Sequence, residues 1–208
     1  MNDEQLLEDW RHAVKESVDF FTSANKGAIE RWACTEFLMN IGLDFQTDEV
    51  VLQADDPPDV IFRGARFEVK EILDPGRRRH DEYKEALSKA RAATDPADLR
   101  VALVKDITPE DITPLGIGSL ISAKLAKLVS KKYVELRFRA SLNLLFYVDL
   151  TRHTLKTGPM PDPEAFSTFG FRSISVLMGW DALVYCAASN APDFLLTKVG
   201  TVTLRRFG

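Results

Sequence analysis

Residues 57–72 read PPDVIFRGARFEVKEI. Val60, Ile61 and Phe62 form an apolar run that Arg63 and Gly64 punctuate, and Phe67, Val69 and Ile72 then alternate with polar residues. This is the pattern of a β-hairpin with a short turn. Side chains alternate across a strand, so Glu68 and Lys70 share one face while Val69 and Glu71 take the other. Any even-length turn centred on Arg63 and Gly64 pairs 62 with 65 and 61 with 66, which sets Asp59 across from Glu68 with Cβ atoms roughly 5 Å apart. Two carboxylates so placed repel unless positive charge lies between them. A hard divalent cation is the natural occupant.

Pro58-Asp59 followed by Glu68-Val69-Lys70 resembles the signature of the PD-(D/E)XK nuclease superfamily. Lys26, Gly27, Glu30 and Arg31 open a helix ahead of the hairpin and resemble the start of the archaeal Holliday-junction resolvases of that superfamily. The chain also resembles bacterial families described as endonucleases without an assigned activity. The resemblance covers residues 26–73. It implies an α/β (α+β) fold of the restriction-endonuclease type, with an α-β-β-β-α-β core and a mixed sheet flanked by helices. It further implies a metal-dependent endonuclease acting on DNA. Asp59 and Glu68 would hold the Mg²⁺ or Mn²⁺, with the backbone carbonyl of Val69 as a further ligand. Glu30 would reach the ion directly or through water, and Lys70 would serve the attacking water. Many members cut as dimers, so a homodimer is an assembly that the resemblance allows.

An isolated E-x-K is ordinarily a charge pair on a solvated strand, and Asp59 could simply follow two prolines into a turn. The literal Pro58-Asp59, the register that faces Asp59 towards Glu68 and an inward Glu30 together favour a metal site. A catalytically inactive module of the same fold, binding nucleic acid or protein, stays open as the alternative.

With 208 residues, 45% of them hydrophobic and 28% charged, the chain reads as a single soluble globular domain spanning 1–208. Its core is expected over about 24–150, with a C-terminal extension of further strands over about 151–208. Its two cysteines are too few for a disulfide framework. With no basic-then-apolar leader and no long apolar run, a cytoplasmic location and no membrane association are expected. Asp and Glu total 31 against 27 Lys and Arg, a net charge of −4, which argues against non-specific coating of nucleic acid. The cations do cluster, at Arg77, Arg78 and Arg79, at Lys124, Lys127, Lys131 and Lys132, and at Arg137 and Arg139. They are either solvated helix faces or contacts to phosphates.

Apolar spacings of three and four predict helices over residues 3–21, 26–41, 77–93 and 117–132. In the second, Glu30 shares a stripe with Cys34, Phe37 and Ile41, and a glutamate facing the interior needs a partner. Glu36 is a rival on an adjoining stripe. Strands are expected at 49–53, 99–104 and 142–150, the last of these central, and further strands near 175–178, 182–186 and 199–204. Either of the helices at 77–93 and 117–132 could supply the crossover. His12, His80 and His153 lie in different elements without ligand spacing. Cys34 reads as a core residue, and Gly116-Ile117-Gly118 as a helix entry without the lysine of a P-loop.

Overall fold

The computed structural model describes residues 2–54, 57–98 and 108–205. In chain order its principal elements are helices α1 (Asp3–Phe20) and α2 (Lys26–Asn40), then strands β1 (Val50–Leu52), β2 (Val60–Phe62) and β3 (Ala65–Leu73). Helix α3 (Arg79–Ala92), strand β4 (Glu110–Ile112) and helix α4 (Pro114–Lys131) follow. Strands β5 (Asn143–Asp149), β6 (His153–Leu155), β7 (Ser173–Met178), β8 (Asp181–Ala187) and β9 (Thr201–Leu204) complete the chain. The strand expected at 99–104 lies outside the described residues.

Packing divides the chain into two compact units, Met1–Ile29 with Pro75–Pro109, and Glu30–Asp74 with Glu110–Gly208. In the first unit, α1 and α3 pack through Leu7, Trp10, Ala90 and Ala93. Arg11 donates to the carbonyls of Ala90 (3.0 Å) and Ala93 (2.8 Å), which supplies partners for orphan acceptors at the end of α3.

The second unit holds a seven-stranded sheet in the order β1-β2-β3-β5-β7-β8-β9. Strands β3, β5 and β7 run parallel at its centre, and antiparallel pairs flank them on both sides. This is a mixed α/β architecture. Strand β5 is central, as its unbroken apolar run suggests, because a strand covered on both faces cannot afford polar alternation. Residues beyond 150 are integral to this sheet: Ile174 and Val176 of β7 belong to the same buried cluster as Leu144 and Phe146 of β5.

Each face of the sheet has its own helix. Ala33, Cys34, Phe37, Leu38 and Ile41, from α2 and the residue after it, bury against Phe67, Val69 and Leu145. On the opposite face, Ile117, Ile121 and Leu125 of α4 bury against Leu144, Phe146 and Val176. Helix α4 is therefore the crossover between β3 and β5. It starts after Thr113, whose hydroxyl accepts from the Gly116 N–H, with Pro114 in its first turn. Both features define a helix start physically, the first by satisfying an orphan donor and the second by pre-setting φ. The order from α2 through β1, β2 and β3 to α4 and β5 gives an α-β-β-β-α-β succession once α3 and the short strand β4, which lie between β3 and α4, are set aside.

The hairpin has the expected register. Val60 faces Phe67, Ile61 faces Arg66 and Phe62 faces Ala65. Its two-residue turn puts both Arg63 (φ 45°) and Gly64 (φ 76°) in the left-handed region, as a primed turn demands. Arginine is an unusual occupant. It is held there by Glu49 (2.8 Å), by the Asp44 carbonyl (3.1 Å) and by its stacking 4.9 Å from the Phe62 ring centre.

Candidate active site

One step beyond the last paired residues of the hairpin, the Asp59 N–H donates to the Phe67 carbonyl at 3.0 Å. The side chains of Asp59 and Glu68 are both buried, and Lys70 brings them together. Oδ2 of Asp59 accepts the Val69 N–H at 2.8 Å. Lys70 Nζ donates to Oε1 of Glu68 and to the Val69 carbonyl, the latter at 2.8 Å, and lies 3.6 Å from Oδ2 of Asp59. The ammonium lies at the three groups that the resemblance assigns to a cation.

Two further donors come from the end of α4. The Tyr133 hydroxyl and Lys132 Nζ (3.2 Å) both donate to Oε1 of Glu68. Three donors therefore converge on one carboxylate oxygen. The other, Oε2, is buried without a hydrogen-bond partner among the described residues. An ionised carboxylate taken from water needs this many partners, since its burial is otherwise strongly unfavourable. Neither Tyr133 nor Lys132 is marked by spacing in the sequence. Lys132 reads there as one of four cations on a polar helix face. The only hint at Tyr133 is chemical: a large ring at a helix end packs readily, and its buried hydroxyl then needs a partner. The ring is fully buried between Phe138 and Phe171, 6.2 and 5.8 Å away.

The pair of carboxylates fits a hard divalent ion. Oε2 of Glu68 is a buried acceptor lacking a donor among the described residues, and Asp59 Oδ2 and the Val69 carbonyl gather with Oε1 around the Lys70 ammonium. Mg²⁺ is held characteristically by one or two carboxylates with water and substrate phosphate completing its shell. Glu30 does not join them. Among the described residues no three His, Cys, Asp or Glu side chains gather as a metal-binding group. The reason lies in the strand alternation. Helix α2, which carries Glu30, packs on the Val69 face of β3, whereas Glu68 and Lys70 project to the α4 face. Glu36, on the same helix, pairs with Arg205 at 3.0 Å.

The expected phosphate contacts divide. Arg77 pairs with Glu82 at 2.8 Å, and Arg79 is buried with its guanidinium 4.6 Å from the Phe21 ring centre. Both are committed within the first unit, and of the three arginines only Arg78 is exposed. Lys124, Lys127 and Lys131 are exposed along α4. Beyond Lys132 and Tyr133, a pocket of about 410 Å³ is lined by Val134, Glu135, Arg137 and Phe138. Cys34 is wholly buried, and burial pushes its thiol well above the ordinary range. The same cause lifts Cys186 to about 12. Neither is poised as a nucleophile.

A family model described as "Putative endonuclease, protein of unknown function (DUF1780)" matches residues 2–208. The chain belongs to this family. Among solved structures, it is similar to the protein of unknown function PA4535 from Pseudomonas aeruginosa strain PAO1, described as belonging to the monooxygenase superfamily. The two are 26% identical with a TM-score of 0.66, over 100% of this chain and 98% of that one. Among curated proteins nothing matches the chain. No helix among the described residues of this DUF1780 chain is long and apolar enough to cross a membrane.

Proposed function

We propose that this DUF1780 chain is a metal-dependent endonuclease of the PD-(D/E)XK type that hydrolyses phosphodiester bonds in DNA. The observation that carries the reading is the meeting of Asp59, Glu68 and Lys70 at one end of a hairpin, with Oε2 of Glu68 left without a donor. The family's description, "Putative endonuclease, protein of unknown function", names the same class. Asp59, Glu68 and the Val69 carbonyl would hold Mg²⁺ or Mn²⁺. Such an ion, when bound, acidifies water and offsets charge on the phosphate.

The protein's own groups do the rest. Lys70 orients the attacking water through its ammonium and offsets the negative charge that develops on the phosphate. Lys132, half-exposed beside Glu68, can donate to a phosphate oxygen on the solvent side. Lys124, Lys127 and Lys131 extend positive charge along the same helix.

The donors already gathered on Oε1 of Glu68 also suit a second reading, in which the cluster ties the fold together in a catalytically inactive nucleic-acid- or protein-binding module. A cleavage assay on supercoiled plasmid, single strands and four-way junctions with Mg²⁺ or Mn²⁺ separates the two. Cleavage is expected in the wild type and lost in Asp59→Asn, Glu68→Gln and Lys70→Met. Cleavage that persists in EDTA or in Asp59→Asn overturns the nuclease mechanism. Binding of these DNAs without cleavage identifies the inactive module.

A further inference from the structure

Glu68 receives donors unevenly. Its Oε1 takes the Lys70 ammonium, Lys132 Nζ at 3.2 Å and the Tyr133 hydroxyl, while the equally buried Oε2 takes none among the described residues. Of the donors, Lys70 is the one that the proposed chemistry needs elsewhere. Lys132 donates from a side chain 44% exposed, at a longer 3.2 Å. Tyr133 is 1% exposed, wedged between Phe138 and Phe171, so its hydroxyl cannot leave. Its ring has no freedom to follow a drifting carboxylate.

From this we infer that Tyr133 is a positioning residue for Glu68. It pins Oε1 and so fixes the carboxylate plane beside Asp59 and Lys70, while Oε2 keeps its acceptor capacity. The inference rests on the metal-dependent reading above and adds a residue that the E-x-K pattern does not contain. A hydrogen bond from a buried, immobile donor fixes the carboxylate plane, as second-shell partners do at metal sites, and losing such a partner typically weakens metal binding ~10- to 100-fold. The tether also joins the end of α4 to β3, elements whose contacting residues are 65 positions apart.

The test compares two tyrosines. Tyr185 is also fully buried, and its hydroxyl donates to the Pro114 carbonyl at 2.6 Å, away from Glu68. Tyr133→Phe and Tyr185→Phe each remove one buried hydroxyl, and both are expected to lower the melting temperature of the metal-free protein. Only Tyr133→Phe should weaken Mn²⁺ binding in calorimetry, by about tenfold or more. A Kd for Tyr133→Phe within twofold of wild type, while wild type binds Mn²⁺, overturns the positioning role and leaves the nuclease reading standing. A wild type that binds no Mn²⁺ overturns both. Should Tyr133→Phe fail to fold, the wild type still decides. Mg²⁺ titration should shift its near-ultraviolet tyrosine band, and a band that stays unchanged as Mg²⁺ binds overturns the inference.

Discussion

Lys70 places its ammonium 3.6 Å from Oδ2 of Asp59 while donating to the Val69 carbonyl and to Glu68. Oε1 of Glu68, the Val69 carbonyl and Oδ2 of Asp59, three of the oxygens gathered here, already face a cation of the protein's own. Two cations sharing these oxygens repel, and unit charges about 4 Å apart near a protein surface interact by ~4 kcal/mol. Lys70→Met should accordingly bind Mn²⁺ more tightly than wild type, by about tenfold or ~1.4 kcal/mol, even though cleavage is lost. Calorimetric titration of both proteins checks this, and equal or weaker binding by Lys70→Met would show that the ammonium does not compete.

Asp59 has a second task, because its Oδ2 receives the Val69 N–H at 2.8 Å inside the protein. Asp59→Ala removes that acceptor and should destabilise the fold by about 1–3 kcal/mol, the penalty for a buried donor left unpaired. Asp59→Asn keeps a carbonyl oxygen for the same N–H and should lose visibly less. Urea unfolding of the two variants without metal reads the difference. Equal losses would mean that charge, rather than the hydrogen bond, accounts for the residue's contribution.

Glu49 and Arg63 provide a pH signature at the hairpin turn. The Arg63 hydrogen bond, with help from the Gln46 N–H, holds the Glu49 carboxyl below its ordinary value of 4.5. A carboxyl depressed in the folded state binds fewer protons there than in the unfolded chain. Its contribution is therefore full above pH 4.5 and is lost as pH falls through the lower folded value. Glu49→Gln should melt below wild type at pH 7 and converge with it in acid. The gap at pH 7 should also narrow with salt, because the pair is exposed. A gap that persists at pH 2 would assign it to packing.

For the α4 lysines the measurable quantity is a slope. If Lys124, Lys127 and Lys131 contact duplex phosphates, the triple glutamine variant should show a plot of log affinity against log salt shallower by about 2.7. Fluorescence anisotropy with a labelled duplex suffices. An unchanged slope returns these side chains to a solvated helix face.

What could be read from the residues follows the range of the forces involved. The hairpin register was legible because Arg63-Gly64 and the alternation around it are local, and a one-residue slip would have turned Phe67 and Val69 outward. The crossover was not legible, since 77–93 and 117–132 both carry apolar spacings. What decides it is the opposing surface: Ile117, Ile121 and Leu125 find the sheet, while α3 buries only Arg79 and Ala90. The arginine run 77–79 misleads for the same reason, because no local rule foretells Phe21 beneath Arg79 or Glu82 beside Arg77. Glu30 was rightly read as buried, yet strand alternation assigns its helix to the other side of β3. Tyr133 was invisible because its partner lies far back in the chain.

The parallel pairing of β3 with β5 joins Phe67 to Asn143 and Leu73 to Asp149, and the intervening chain includes a segment of the first unit, Pro75–Pro109. During synthesis the hairpin leaves the ribosome long before its neighbour exists, so the β3 edge must wait while more than a whole helix is made. Glu68 and Lys70 keep that waiting edge charged, and charge on an unpaired strand deters association with other chains. The side chains proposed for the site's chemistry thus also suit a role as gatekeepers of a slow, long-range closure. Replacing Glu68 and Lys70 with apolar residues should then raise aggregation of the nascent chain at synthesis temperature, before any effect on the finished protein is expressed.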